Sequence, residues 1–213
     1  MANKAILFDL DGTLLETHRH SCRAAHETLR ALQLADVSDE IVMRLIGEPA
    51  EAFLRAIAPG YSDPDAFEAL FDANERAALK SVGRLYDGVP ELIAALQQRG
   101  YRLAICSNGS REYVEAALET TGIRAAFTRL ACAGEFPEKA SAVSHLLREW
   151  NCDHAVMVGD RVHDREAAEK NSLPFIAAVY GYGEAELTSS VYRAKNPLEI
   201  LQLLEQIEKD VLK

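Results

Sequence analysis

The stretch that decides the fold runs from Ala5 to Leu14 and reads AILFDLDGTL. Its first four residues, Ala5 to Phe8, form a short apolar run that is typical of a buried strand. Two acids, Asp9 and Asp11, follow this run. Residues at i and i+2 of a strand point to the same side, so both carboxylates can project from its end. If both carboxylates are buried side by side, they need a cation such as Mg²⁺ between them. The alternative interpretation of the stretch is a strand followed by a solvated Asp-Gly turn.

Length, charge and cysteine spacing limit the class of protein. The 213 residues fit one large domain, or a main domain with a smaller insertion. A net charge of −10 argues against nucleic acid or an anionic membrane as the main partner. No apolar run approaches the ~20 residues that span a bilayer, and the first acid comes too early for a signal peptide. With four cysteines but no CxxC spacing, we expect a reduced, cytoplasmic chain.

The residues between 17 and 81 show helical periodicity interrupted by turn signals. Gly47-Glu48-Pro49 and Pro59-Gly60 are the clearest breaks, and Asp63-Pro64 is typical of a helix start. No strand pattern occurs in this span. We therefore predict an all-helical cap domain over residues 15–82, inserted into a core formed by residues 1–14 and 83–213.

Apolar runs and helical patterns alternate through the rest of the chain. Strands are predicted over 101–106, 127–132, 155–158 and 174–179, with amphipathic helices between them. Such alternation is typical of a parallel sheet covered by helices on both faces. The predicted fold class is α/β, with a doubly wound parallel sheet and a small all-helical cap.

Polar side chains follow the predicted strands at one edge of this sheet, where ligands of open parallel sheets bind. Taken singly, each has an ordinary explanation as a loop residue, a helix cap or a surface lysine. Together they place acids, a hydroxyl, an amide and one ammonium group at a common site. The residues are Asp9, Asp11, Ser107, Asn108, Lys139, Asp160 and Asp164.

This set of groups suits phosphoryl transfer. Asp160 would complete a metal site with Asp9, and Asp164 would be a further ligand or would orient another. The Ser107 hydroxyl and the Asn108 backbone amide suit phosphate oxygens, and Lys139 supplies positive charge. One carboxylate of the first pair can act as a nucleophile and the other can transfer protons, an assignment that spacing alone leaves open.

Four stretches of the chain resemble the four ordered motifs of the haloacid dehalogenase superfamily. They are FDLDGTL at residues 8–14, Ser107-Asn108, Lys139, and Gly159-Asp160 with Asp164. The resemblance covers essentially the whole chain. It implies a doubly wound core with a helical cap, Mg²⁺ as cofactor, Asp9 as nucleophile and Asp11 as general acid and base. It also implies that Asp11 reaches the metal through its backbone carbonyl. Members that cleave carbon–halogen bonds lack the second aspartate, so the resemblance favours a phosphatase.

Two further stretches are similar to members of the phosphoglycolate phosphatase type, some of which act on 5′-nucleotides. They are GDRVHD at residues 159–164 and YGYG at residues 180–183. Arg161 stands where Ser or Thr is frequent, and it is either a substrate contact, an exposed residue or part of a salt bridge between cap and core. Glu48 is either a substrate contact or part of a simple turn. His18 and His20 are left out of the site, since such histidines more often lie on a solvated helix face.

The predicted function is a Mg²⁺-dependent phosphatase of small phosphorylated metabolites, such as phosphoglycolate-, nucleotide- or sugar-phosphate-like esters. A phosphomutase of the β-phosphoglucomutase type shares the motifs and the cap, and is the nearest alternative. A phospho-accepting signalling receiver is a different class, but receivers are shorter and have no helical insertion after the first acidic strand. A catalytically silent binding protein is disfavoured because every motif is filled. We expect a monomer or homodimer with no nucleic-acid or membrane partner.

Overall fold

A computed structural model describes residues 3–152 and 154–211 of the chain. The described part forms one six-stranded sheet with helices on both faces. The strands are β1 (Lys4–Phe8), β2 (Arg102–Cys106), β3 (Arg129–Ala131), β4 (His154–Gly159), β5 (Phe175–Ala178) and β6 (Tyr192–Ala194). The α-helices are α1 (His18–Ala31), α2 (Asp39–Leu45), α3 (Ala50–Ile57), α4 (Pro64–Val82), α5 (Val89–Gln98), α6 (Arg111–Thr120), α7 (Lys139–Trp150), α8 (Val162–Lys170) and α9 (Glu199–Val211).

All neighbouring strands are parallel, and their order is β3-β2-β1-β4-β5-β6. The chain therefore winds outward from β1 in one direction and then from β4 in the other, which makes a doubly wound sheet as predicted. Phe8 of β1 is in register with Ile105 of β2 and with Val158 of β4. Ligands of such sheets bind where the strand order reverses, so the carboxyl ends of β1 and β4 are the expected binding position.

The apolar run of β1 is buried on both sides because side chains alternate between the faces of the sheet. Ile6 and Phe8 belong to one apolar cluster, which includes Leu92 of α5 and Val114 of α6. Leu7 belongs to a second cluster on the other face, with residues of α7 and α8. This burial on both faces explains why the strand reads as a continuous apolar run.

Helices α1 to α4, called the helical segment below, lie between β1 and α5. They have an apolar cluster of their own that includes Leu29, Val42, Ile57 and Phe67. Asp63 caps α4 by accepting a hydrogen bond of 3.1 Å from the amide of Ala66. The all-helical insertion is thus present, while the division at residues 15 and 82 stays a prediction.

One strand was not predicted. β6 has three residues, lies at the sheet edge beside β5, and is only partly buried. So short an edge strand carries too few apolar positions to produce a recognisable pattern. Among the described residues, we find no helix that is both long and apolar enough to cross a bilayer.

Candidate active site

The reversal of strand order brings three acids together. Asp9 follows β1 and Asp160 follows β4, and the amide of Asp9 donates to the carbonyl of Val158 over 2.9 Å. Asp164 lies in the first turn of α8. One carboxylate oxygen from each of these three acids lies within 4.8 Å of the others, and all three residues are buried. The sequence predicted that these residues would meet, and they do.

Lys139 enters this cluster from the first position of α7. Its Nζ lies 2.8 Å from Oδ1 of Asp9 and 2.7 Å from Oδ1 of Asp164. The lysine side chain is 8% exposed, so both ion pairs are nearly free of solvent. A buried ammonium group between two carboxylates offsets part of their repulsion and fixes the orientation of Asp9.

Two buried oxygens of the cluster have no hydrogen-bond partner in the described part of the chain. They are Oδ2 of Asp9 and Oδ1 of Asp160. The second oxygen of Asp160 accepts from the amide of Tyr182 over 2.7 Å, and the second oxygen of Asp164 accepts from the amide of Arg161 over 3.0 Å. Unpartnered buried carboxylate oxygens are costly, and they are the ligands that Mg²⁺ prefers. The donor set therefore fits a hard divalent cation.

The electrostatics agree with that fit. Burial raises the pKa of Asp9 to about 7; Lys139 lowers it, and the nearby Asp164 and Asp11 raise it. Burial also raises the pKa of Asp160 well above its ordinary value, with Asp9 and Asp164 contributing. A bound cation would favour the ionised form of both acids.

Asp11 occupies a different environment from the three clustered acids. Its Oδ1 accepts hydrogen bonds from the hydroxyl of Thr17 over 2.7 Å and from the hydroxyl of Tyr113 over 2.5 Å. Burial raises the pKa of Asp11, while these two hydroxyls and the charge of Lys139 lower it. Both hydroxyls bind the same oxygen, so neither of them occupies Oδ2 of Asp11.

His20 contradicts the expectation of a solvated helix face. It is fully buried in α1, and its Nε2 lies 3.0 Å from the hydroxyl oxygen of Tyr113. Burial, with the nearby His18, lowers the pKa of His20 to about 4. Tyr113 donates its hydrogen to Asp11, so the neutral His20 is the donor to Tyr113. The prediction failed because α1 packs against α4, and the ring of Tyr113 from α6 lies against His20.

Ser107 and Asn108 follow β2, beside β1. The hydroxyl oxygen of Ser107 accepts from the amide of Gly109 over 2.9 Å, which leaves its own hydrogen free to donate. The side-chain amide of Asn108 donates to the carbonyl of Gly47 over 2.9 Å. Asn108 therefore joins the sheet edge to the helical segment.

Glu48 and Arg161 pair with each other. Arg161 is 5% exposed, and its guanidinium donates to Glu48 and to the carbonyl of Ile46. It also lies 2.9 Å from a carboxylate oxygen of Glu186, while His163 lies 3.3 Å from Glu48. Arg161 is therefore not an exposed residue, and it forms a salt bridge with Glu48 of the helical segment.

Two glycines allow the backbone to approach Asp160 closely. Gly12 has a φ of +79°, and a Cβ there would lie 2.3 Å from Asp160 Oδ2. A Cβ on Gly181 would lie 2.5 Å from the same oxygen. The YGYG stretch thus packs against the buried carboxylate of Asp160, a role that the sequence did not predict.

A cavity of about 420 Å³ extends from Asp9 and Asp11 into the helical segment. Its walls include Tyr113 of α6 and Glu75 of α4, which the sequence analysis did not single out. Both stand at ordinary positions of amphipathic helices, so no local signal distinguished them. Only the packing of α4 against α1 and α6 places them at the site.

Comparisons with known proteins identify sequence relatives of this chain. A family model described as "Haloacid dehalogenase-like hydrolase" matches residues 6–178. A phosphoglycolate phosphatase from Agrobacterium fabrum is 28% identical over 192 residues, which are 85% of this chain and 82% of the relative. The tyrosine-protein kinase PtkA from Mycobacterium tuberculosis is 28% identical over 186 residues, and the match covers 85% of this chain but only 64% of the kinase.

The fold is shared with solved structures. A predicted phosphoglycolate phosphatase from Haemophilus somnus superposes with a TM-score of 0.87 at 24% identity. The superposition covers 94% of this chain and 97% of the other. This likeness shows that the sheet order and the helical insertion occur together in a known fold.

Proposed function

Because the chain belongs to the haloacid dehalogenase-like hydrolases, we propose that it releases phosphate from small phosphomonoesters with Asp9 as the nucleophile and Mg²⁺ as the metal. One observation carries this proposal. Lys139 holds Oδ1 of Asp9 at 2.8 Å while Oδ2 of the same carboxylate has no partner among the described residues. Asp9 is therefore fixed in place with one oxygen left for chemistry or metal binding.

The reaction would proceed in two steps. A carboxylate oxygen of Asp9 attacks phosphorus, the bond between phosphorus and the ester oxygen breaks, and Asp11 gives its proton to the departing alcohol. Water then attacks the aspartyl phosphate while Asp11 takes a proton from it. Cleavage of the bond between phosphorus and Asp9 releases inorganic phosphate and restores both acids.

Asp9 and Asp160 would hold the metal through their unpartnered oxygens, and Asp164 would contribute by orienting Lys139. The sequence also predicted Asp164 as a possible direct ligand, and its grouping with Asp9 and Asp160 is compatible with that role. A role for the backbone carbonyl of Asp11 comes from the family resemblance. Mg²⁺, when bound, would neutralise the carboxylates and stabilise negative charge on the phosphoryl group.

Ser107, Asn108 and Lys139 would bind the phosphoryl oxygens. The Ser107 hydroxyl has a free hydrogen, and the ammonium group of Lys139 stands beside the attacking carboxylate. Three features predicted from the sequence stay predictions. They are the small phosphorylated metabolite as substrate, the cytoplasmic location, and the monomeric or homodimeric state. The sequence also proposed Glu48 and Arg161 as substrate contacts, and their mutual ion pair supports a structural role more strongly.

Phosphate release from p-nitrophenyl phosphate tests the proposal. We expect turnover with Mg²⁺, loss of turnover when a chelator removes the metal, and loss of turnover in Asp9→Asn without loss of fold. Full activity in that variant would refute the assignment of Asp9. A phosphomutase is distinguished by supplying a sugar phosphate and asking whether phosphate is freed or moved to another hydroxyl.

A further inference from the structure

The cavity beside Asp11 has an unusual charge balance for an enzyme that would bind an anionic ester. Seven of its lining residues are acidic, and no Lys, Arg or His is among the described residues that line it. Two of the seven acids are Asp9 and Asp11. The other five surround the space that the leaving alcohol would occupy, and they are Glu48, Glu51, Glu68, Asp72 and Glu75.

Most of these five acids already have a cation or lie in solvent. Glu48 pairs with Arg161, and Glu51 is exposed and pairs with Arg55. Glu68 is exposed at the rim, and Asp72 lies 3.6 Å from the guanidinium of Arg76. These four acids contribute a general negative field but do not require a ligand.

Glu75 is different because it is 9% exposed and makes no ion pair with a described residue. Ser21 donates a hydrogen bond to Oε1 of Glu75, and the other oxygen accepts none from the described residues. Burial raises the pKa of Glu75 to about 8; the hydrogen bond from Ser21 and the charge of Arg76 lower it, and Asp11 and Asp72 raise it. A cation placed beside this carboxylate would lower its pKa and favour its ionised form.

The remaining walls combine aliphatic side chains with several aromatic rings. The rings of Phe53 and Phe71 lie 4.8 Å apart between centroids, and both residues line the cavity with Tyr113. Aromatic faces attract cations, particularly where water is excluded. A buried acid among aromatic rings therefore favours an organic ammonium group over a carboxylate or a strongly hydrated ion.

The position of Glu75 relative to the reacting atoms follows from α1. Thr17 has helical backbone angles and donates to Asp11, while Ser21 donates to Glu75. Residues four apart on a helix face the same way, with Cβ atoms about 5–6 Å apart. The carboxylates of Asp11 and Glu75 are thus bound by side chains one helical turn apart, a spacing that suits a leaving alcohol with two or three carbons between its oxygen and its nitrogen.

We propose that the cavity selects phosphomonoesters whose leaving alcohol carries an ammonium group, with Glu75 as the residue that pairs with that group. This proposal rests on the proposed function and names its substrate class as short aminoalkyl phosphates. A carboxylate-bearing ester of the same length would add a further acid to the acidic cavity and would leave Glu75 without a cation.

A series of three esters of matched length tests the proposal on the native chain. The esters are 2-aminoethyl phosphate, 2-hydroxyethyl phosphate and phosphoglycolate, each assayed with Mg²⁺ for kcat/KM. We expect the aminoethyl ester to exceed each of the others by at least about tenfold, which corresponds to one charge-assisted hydrogen bond. Equal or greater kcat/KM for the neutral or anionic ester would overturn the proposal without the need for any variant.

Two variants then locate the source of the preference. Glu75→Gln keeps the shape and the acceptor for Ser21, and it should lower kcat/KM for the aminoethyl ester about tenfold or more while leaving that for the hydroxyethyl ester within about twofold. Glu68→Gln removes the same charge from the exposed rim and should change the ratio of the two esters by less than twofold. An equal effect of the two variants would mean that the general field, not Glu75, sets the preference.

Failure of this inference is separable from failure of the proposed function. Release of phosphate from p-nitrophenyl phosphate together with no preference for the ammonium ester would reject the inference alone. Absence of release from p-nitrophenyl phosphate with Mg²⁺ would reject the proposed function. Binding of the three esters to Asp9→Asn, measured by titration calorimetry, gives the same ranking without turnover, and an aminoethyl ester that binds no tighter than phosphoglycolate contradicts the inference.

Discussion

Tyr113 donates its hydroxyl hydrogen to Oδ1 of Asp11 over 2.5 Å, although the two residues are 102 positions apart in the chain. This bond joins α6 to the loop that follows β1. His20 supports it from the opposite side, because its Nε2 donates to the same tyrosine oxygen over 3.0 Å. The proton-transferring acid proposed here is therefore held by both the helical segment and the core.

Tyr113→Phe should lower kcat about tenfold, because Asp11 loses an orienting hydrogen bond. The bond favours ionised Asp11, so its removal should raise the pKa of Asp11 and move the alkaline limb of the kcat/KM profile to higher pH. The measurement is a pH–rate profile of both proteins. Tyr101→Phe is the matched control, since it removes a hydroxyl bond to Glu208 outside the site; an identical profile for Tyr113→Phe and the native chain would contradict the account.

Arg161→Lys should loosen the helical segment at residues 44–48. Lysine keeps the charge but lacks the planar guanidinium, whose two terminal nitrogens donate to Glu48 and to the carbonyl of Ile46 at the same time. Loss of one charge-assisted hydrogen bond corresponds to about tenfold faster local opening, which amide hydrogen exchange of this stretch measures. Arg165→Lys is the control, because that arginine contacts Ser189 rather than the helical segment. Unchanged exchange in Arg161→Lys would show that the pair does not hold the segment.

Stability should depend on pH through Glu75. Its pKa rises from 4.5 to about 8 on folding, so the folded state holds a proton that the unfolded state loses. This contribution is fully present below pH 4.5 and is lost as the pH rises through about 8, at about 1.4 kcal/mol per pH unit. Glu75→Gln should therefore unfold at higher denaturant concentration than the native chain at pH 8. Near pH 4.5 the two should be similar, and a constant difference between the two pH values would contradict the assignment.

Mg²⁺ should raise the melting temperature of the native chain, since a ligand that binds only the folded state stabilises it by about 2.7 kcal/mol at 100 times its Kd. Asp160→Asn should abolish this increase by removing one of the two unpartnered oxygens. The same variant should melt higher than the native chain in chelator at pH 8, because it relieves the repulsion from Asp9 and Asp164. Asp87→Asn, at an exposed ion pair with Arg84, is the control and should retain the Mg²⁺ effect. A full Mg²⁺ response in Asp160→Asn would place the metal elsewhere.

Local patterns were sufficient to predict the residues at the strand ends. Asp9 and Asp160 each follow an apolar run, and in a parallel sheet the ends of adjacent strands meet at one edge. Lys139 was predictable for a related reason, because it begins the helix that follows β3. The doubly wound sheet was predictable because apolar strand runs alternate with helical patterns. The helical insertion was predictable because residues 17–81 show helical periodicity and no strand pattern.

The residues that surround these groups were not predictable in this way. Tyr113 and Glu75 lie inside helices, where an amphipathic pattern shows that a face is buried but not what it is buried against. The prediction for His20 failed for the same reason, since this residue is covered by Tyr113 of a helix distant in the chain. The orientation of α1, α4 and α6 about the site depends on side-chain packing between segments distant in the chain, which a single sequence does not encode as a local signal.

The central claim is that phosphate is transferred to Asp9, and trapping that intermediate tests it most directly. Asp11→Asn should still let Asp9 attack p-nitrophenyl phosphate, whose leaving group needs little protonation, but it should slow the water step. We predict a stoichiometric burst of nitrophenolate with Mg²⁺, and phosphorylation of Asp9 found by mass spectrometry of the acid-quenched, digested protein. A burst with no phosphate on Asp9, or phosphate on another residue, would contradict the account.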